Sequence, residues 1–365
     1  MTRGVGKLAA LVAWGLLGVG CGEVTDPSDE TNGESGVVSH GLARNPDATD
    51  VVVWSQNMGM FQFAWRSAAR CMNDPACNTL GHLPDLIILQ ETTDAQVTAL
   101  KDELVRLSGV GNWGIYALDT VYPNITNYRS KAILYNASRF TRTSVANNVK
   151  AWNVSDSNTC VQNADYYQLV RRLDDDLRAA AGYAERTLVV VSRHDDNFKN
   201  TVDRDTCDGP GAVNVFCSLQ NSIDITQEVN RVGGGLHIMA GDWNYKPKTC
   251  TTKNGTTTTN WKTAYGCTTR YSSSGTGILT SGCGVLGNMG WRDPRFEADG
   301  AAGYDSAQPI DYVHIRDSKG FTLSGTNGVV DKHFYCGGVH PDANGDGKCD
   351  TMMSDHSPRL LRIQY

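Results

Sequence analysis

Apolar residues along this chain gather into short, almost uninterrupted runs, set apart by polar and glycine-rich stretches. The runs cover residues 51–55, 85–89, 132–135, 187–192, 236–240, 312–315 and 360–363. Runs this short and rich in branched side chains predict strands. Because neighbouring residues within them are apolar, both faces of each strand must be covered. Helical spacing appears in between. Residues 95–107 carry Val97, Leu100, Leu104 and Leu107 on one face, with Asp94 as a cap; residues 164–181 continue through Leu169, Leu173 and Leu177; residues 222–232 form a shorter helix. This alternation predicts an α/β fold in which two packed sheets carry helices outside. Residues 195–215 and 250–290 read as long loops, and 251–260 as an exposed low-complexity segment. No internal repeat is visible.

The first twenty residues break the pattern. Arg3 and Lys7 precede an apolar run over 8–20. It is shorter than the roughly 20 residues a membrane span needs, but it suits the core of an export signal. It ends in Leu17-Gly18-Val19-Gly20-Cys21, similar to a bacterial lipobox except that Gly18 stands where leucine is usual. Residues 1–20 are therefore expected to be a signal peptide and Cys21 a lipidation site, with plain secretion as the alternative. The protein is expected to be exported, as an outer-membrane lipoprotein or into the extracellular medium. Residues 21–49 are poor in apolar side chains and read as a disordered tether, which leaves 50–365 as one domain. Of the 11 cysteines, ten remain after Cys21. In an oxidising compartment they predict up to five disulfides, and spacing suggests Cys71–Cys77, Cys207–Cys217, Cys336–Cys349, and Cys250 with Cys267 or Cys283.

Composition narrows the function. With 365 residues, 40% apolar and 20% charged, the chain can bury a sizeable core and is not disordered. Its net charge of −6 excludes a nucleic-acid binder that works by bulk charge, so such a partner must be met by a local patch or a metal ion.

Chemistry concentrates at the ends of the strand runs. Trp54-Ser55-Gln56-Asn57, Leu89-Gln90-Glu91, Ser192-Arg193-His194, Gly241-Asp242-Trp243-Asn244 and Ser354-Asp355-His356 each place carboxylate, amide or imidazole groups just past or before apolar residues. A carboxylate set among core strands needs a partner. A hard divalent cation held by Asn57, Glu91, Asp242, Asn244 and Asp355 would supply one, and an all-oxygen set of this kind suits Mg²⁺ or Mn²⁺. His194 and His356 add acid/base capacity.

The ordered set Asn57, Gln90-Glu91, His194, Gly241-Asp242-Trp243-Asn244, Asp311-Tyr312 and Ser354-Asp355-His356 resembles the endonuclease/exonuclease/phosphatase superfamily, whose fold is called deoxyribonuclease-I-like. The likeness spans about residues 50–365. It implies a four-layer α/β sandwich of two mixed sheets flanked by helices, and a metal-dependent phosphoric-ester hydrolase. By the same resemblance Glu91 is the main metal-binding carboxylate, with Asn57 beside it and Asp355 as a further ligand. Asp242 orients or deprotonates the attacking water, and Asn244 binds phosphate. His356 stands near the nucleophile. His194 contacts phosphate or assists the leaving group, with Asp311 as the carboxylate that orients it. Tyr128 is a phosphate contact. Two positions depart from the nuclease branch: Thr93 stands where an arginine is frequent, and Ser130 where a glutamate is usual.

Other residues weigh less. His237 reads as a core histidine, His82, His314, His333 and His340 as surface or loop residues, and Trp54 and Trp243 as core. Arg129, Lys131, Arg139 and Arg142 could track a phosphate backbone or form a solvated face; Lys246 and Lys248 lie closer to the site motif. The stretch Asp342-Ala343-Asn344-Gly345-Asp346-Gly347-Lys348-Cys349-Asp350 matches the first nine positions of a calcium loop, with Met353 at the twelfth instead of glutamate. It predicts a structural Ca²⁺ site formed by Asp342, Asn344, Asp346, Lys348 and Asp350. The expected function is an endonuclease hydrolysing DNA, with a sphingomyelinase-like phospholipase or phosphoinositide-type phosphatase as the alternative. A toxin subunit resembling the cytolethal distending nuclease is a third version. A non-catalytic calcium-binding surface lipoprotein is the reading of a different class.

Overall fold

The computed structural model describes residues 41–59, 64–117, 130–155, 159–195, 210–244, 249–251, 257–260, 285–295, 297–298, 311–325, 328–330 and 356–365. The signal segment with Cys21, Tyr128, Lys246, Lys248, Asp355, the calcium loop from Asp342 to Asp350, and Cys207, Cys267, Cys283, Cys336 and Cys349 lie outside these residues.

All seven apolar runs are strands. One sheet reads, in spatial order, β13 (Gly320–Leu323), β14 (Arg359–Gln364), β1 (Asp50–Asn57), β2 (Leu86–Gln90), β4 (Lys131–Asn136) and β3 (Trp113–Ala117). The other reads β12 (Asp311–Arg316), β9 (Leu236–Asp242), β8 (Thr187–His194), β7 (Cys160–Asp175) and β5 (Phe140–Thr143), with β6 (Val149–Val154) paired to β7. Each sheet is mixed. It contains a single parallel pair, β1–β2 or β8–β9, and its other pairs are antiparallel. The chain passes through α1 (Ala64–Asn73) between β1 and β2, through α4 (Pro210–Val232) between β8 and β9, and through a separate antiparallel pair, β10 (Thr249–Thr251) and β11 (Thr257–Asn260), between β9 and β12.

Period-two alternation inside the continuous runs sorts the core into layers. Val51 and Val53 of β1 and Leu188 and Val190 of β8 meet between the sheets. Val52 and Trp54 face α1 and α2 (Asp94–Ser108), while Val189 and Val191 face α4. The result is helix, sheet, sheet, helix: the four-layer α/β sandwich expected. Among the described residues no helix is long and apolar enough to cross a membrane.

Several details differ from expectation. The helix expected over 164–181 is β7 followed by the short α3 (Asp176–Ala180). Leu169 and Leu173 are four apart, an even number, so they share one face of a strand as readily as of a helix. Both point between the sheets, and the intervening Val170 faces α4. The helix expected at 222–232 starts twelve residues earlier, at Pro210, inside a stretch read as loop; proline is suited to a first helical turn. Thr93, not Asp94, caps α2: Thr93 Oγ1 accepts from Gln96 N and Gln96 Oε1 accepts from Thr93 N. Cys71 bonds to Cys77 as expected, but Cys217 bonds to Cys160, because the start of β7 lies against α4. Residues 41–49, expected in the tether, belong to the folded unit: Arg44 bridges Leu83 and Asn45 donates to Asp50 O. His314 is fully buried in β12, stacked on Trp243 at 4.6 Å, and burial lowers its pKa to about 3.

Two members of the basic stretch, Lys131 and Arg139, are turned inward and cannot track a phosphate backbone. Lys131 is fully buried with its ammonium over the Tyr166 ring. Arg139 is buried between Asp85 at 3.1 Å and Asp175 at 2.8 Å, at the strand ends remote from Asn57. Arg142 lies over the Tyr116 ring, and Arg129 is outside the described residues.

Candidate active site

Strand register brings the polar ends together. The parallel pair β1–β2 closes at Asn57↔Gln90, with Glu91 one residue on, and β8–β9 closes at His194↔Asp242. On the other side of β9, Asp311 opens β12 directly opposite Asp242. His356 enters three residues before β14. The two sheets are tied at this rim by Gln90 Nε2 donating to Ser192 Oγ, which in turn donates to Leu89 O.

Asp242 is the centre. Asn57 Nδ2 donates at 3.0 Å both to Asp242 Oδ2 and to Glu91 Oε1, bridging the sheets. His194 Nε2 lies 3.3 Å from Glu91 Oε1 and 3.8 Å from Asp242 Oδ2. His356 Nε2 lies 3.7 Å from Asp242 Oδ2, while its Nδ1 is 3.0 Å from Asp311 Oδ2. A carboxylate only accepts, so Asp311 sets the proton of neutral His356 on Nδ1 and leaves Nε2 facing Asp242 as an acceptor. Asp311 thus orients His356, not His194 as expected, because its strand starts on the side of Asp242 away from β8.

Backbone geometry supports the carboxylates. Gly241 has φ +145°, and a Cβ there would stand 1.7 Å from Arg193 O, so the motif glycine is required by the close approach of β8. Asn244 and Glu91 occupy the left-handed region at φ 50° and 47°. Asparagine tolerates this better than glutamate, so Glu91 carries local strain at the site. Asp242 Oδ1 accepts from Asn244 N, and Asn244 Nδ2 faces His194 Nε2 at 3.1 Å and donates to Asp195 O at 2.8 Å.

Electrostatics separates the two acids. Burial, and after it the Asp311 carboxylate, pushes Asp242 up to about 6. Burial also acts to raise Glu91, but hydrogen bonds from His194 and Asn57 and the charge of the histidines hold it below its ordinary value. Glu91, His194 and Asp242 form one group able to grip a cation, and Asp242, Asp311 and His356 a second. Three carboxylates converging on one buried rim, with oxygen donors in the majority, fit a hard divalent ion.

Of the predicted site residues, Asn57, Glu91, His194, Asp242, Asn244, Asp311 and His356 meet here. Reading the sequence alone missed Gln168, Arg193, Asp195 and Asn221, which lie buried behind them. The run Arg193-His194-Asp195 at a strand end was a visible signal; Gln168 was hidden in a segment read as helix.

These motifs on two face-to-face mixed sheets complete the picture. The fold is deoxyribonuclease-I-like. No family model matches the chain, and no curated protein does. Among solved structures, an endonuclease/exonuclease/phosphatase family protein from Bacteroides thetaiotaomicron is similar at 10% identity, covering 87% of this chain and 98% of that one, with a TM-score of 0.49. Humanized D. rerio TDP2 is similar at 14% identity, 87% and 99% coverage and a TM-score of 0.45. The human nocturnin catalytic domain, with bound sulfate, is similar at 13%, 86% and 93%, with a TM-score of 0.45.

Proposed function

We propose that this chain is a divalent-metal-dependent phosphodiesterase, most specifically an endonuclease acting on DNA outside the cell, either free or anchored through a lipidated Cys21. The observation that carries this reading is the convergence on Asp242 of Asn57, Glu91, His194, Asp311 and His356 from both sheets. Glu91 and Asp242 would hold Mg²⁺ or Mn²⁺, which offsets charge on the phosphoryl oxygens. Asp242 Oδ2 and His356 Nε2, 3.7 Å apart, can both accept protons from a water held between them. Asp311 stabilises the imidazolium that forms on His356. His194 and the Asn244 amide sit where they can donate to phosphoryl oxygens or to the leaving oxygen. Export is supported by the charged-then-apolar start of the chain and by two cystine pairs of the kind that persist in oxidising compartments.

A second substrate reading, a phospholipid or phosphoinositide phosphoester, is favoured by the two departures from the nuclease pattern. Thr93 is occupied as a helix cap, and Ser130 is buried. The deciding experiment offers plasmid DNA, sphingomyelin and a phosphoinositide in parallel to the purified protein with Mg²⁺ or Mn²⁺. Asp242→Ala and His356→Ala should each lower kcat by about 10³-fold or more, several kcal/mol of barrier. Release of none of the three products by folded protein rejects the enzymatic reading.

A further inference from the structure

Strand β7 pairs with β8 and β5 over its second half and with β6 over its first. From Leu169 onward its main chain pairs with β8, Leu169 opposite Ser192; at Gln168 it has already turned to β6, opposite Val149. The ladder that would have held His194 against β7 therefore stops two residues short. The Gln168 side chain replaces it. Its Oε1 accepts from His194 N at 3.0 Å, and its Nε2 donates to His194 O at 3.2 Å and to Asp195 Oδ1 at 3.1 Å.

Asp195 is the second hub. Its carboxylate is held by Arg193 Nε at 3.0 Å and by Asn221 Nδ2 at 3.0 Å from α4. Arg193 is anchored in turn by Ser218 O and Oγ and by Ser222 Oγ of the same helix. The main chain of Asp195 faces the site: its N donates to Asp242 O at 2.9 Å, and its O accepts from Asn244 Nδ2. His194 lies between these two hubs, and among the described residues its Nδ1 has no hydrogen-bond partner. The ring is therefore held at its outer nitrogen by Glu91 and Asn244 and aimed through its main chain, with no carboxylate among the described residues at its inner nitrogen. A buried network of amides and ions is poor evidence of stability by itself, but fully satisfied it specifies one geometry.

We propose that Gln168, Arg193, Asp195 and Asn221 form a cradle of positioning residues that fixes His194 and Asn244 against the phosphoryl group; this rests on the phosphodiesterase reading above. The test is a double-mutant cycle. In the full chain with Mn²⁺ and bis(p-nitrophenyl) phosphate, Gln168→Met should lower kcat by about 10–100-fold with KM within about twofold, since a misplacement near 1 Å costs about that much. The loss should vanish when His194→Ala is already present, because the cradle then has no ring to aim. Wild-type activity in Gln168→Met, or the same loss in both backgrounds, overturns the proposal. A second readout needs no turnover. The imidazole ¹H–¹⁵N signal of His194, assigned through His194→Ala, should shift or broaden in Gln168→Met, and an unchanged signal also overturns the cradle. Should the wild type cleave no phosphodiester, the phosphodiesterase reading fails and the His194 signal alone decides the cradle. If Gln168→Met does not fold, Asn221→Ala takes its place in both measurements with a smaller expected loss.

Discussion

Replacing Asp242 by asparagine should abolish turnover and yet stabilise the metal-free protein above pH 7. In the folded chain the Asp242 carboxyl is pushed up to about 6, first by burial and then by Asp311, against an unfolded value near 3.9. The folded state therefore favours the protonated form. Below about pH 4 the group costs nothing, between about 4 and 6 the cost grows, and above 6 it is complete. A difference of roughly 2 units corresponds to about 3 kcal/mol. Asparagine removes that cost. It has only one acceptor oxygen for two donors, Asn57 Nδ2 and Asn244 N, so about 1 kcal/mol of hydrogen bonding is lost. The net expectation is a gain of about 1–2 kcal/mol at pH 8 and a loss of about 1 kcal/mol at pH 4. Urea unfolding of both proteins in EDTA at the two pH values measures this directly. Adding Mg²⁺ at pH 8 should then stabilise the wild type by mass action and the variant far less. A variant less stable than the wild type at pH 8, or a difference unchanged between the two pH values, would refute the assignment of Asp242 as an uncompensated buried charge.

Three further outcomes follow from the packing. Gly241→Ala forces a Cβ into Arg193 O in a glycine conformation and should cost about 3 kcal/mol or more, seen as a lower melting temperature. Arg139→Met strands the buried Asp85 and Asp175 carboxylates and should cost about 3–5 kcal/mol in urea unfolding, whereas kcat per folded molecule should hold because these groups are remote from the site. His314, whose pKa burial lowers to about 3, binds a proton more readily when unfolded, so it contributes a loss of stability as pH falls from about 6.5 toward 3; His314→Phe should flatten that limb in thermal melts, and an unchanged slope would rule His314 out as its source.

Residue type along seven short runs was sufficient to locate seven of the fourteen strands among the described residues, because a segment apolar at successive positions has to be covered on both faces; the more polar strands, such as β5 and β6, carry no such signal. It was also sufficient to nominate Asn57, Glu91, His194, Asp242, Asn244 and His356, because polar groups at the ends of buried strands stand out against their neighbours; Asp311 was added only by the family resemblance. The same local logic failed where one spacing satisfies two periods, as with Leu169 and Leu173 in β7, and where a terminus is set by packing, as with the early start of α4.

Partnership was decided only in three dimensions. Asp311 lies next to His356 and not His194 because β12 and β8 flank Asp242 on opposite sides, an ordering of strands that no stretch of sequence states. Lys131 and Arg139 turned inward because an aromatic ring and two carboxylates from distant strands await them. Gln168 acquired its hold on His194 where β7 leaves one partner strand for another. In each case the deciding group lies tens of residues away along the chain, and only the closure of two sheets on each other brings it within hydrogen-bond or ring-contact distance.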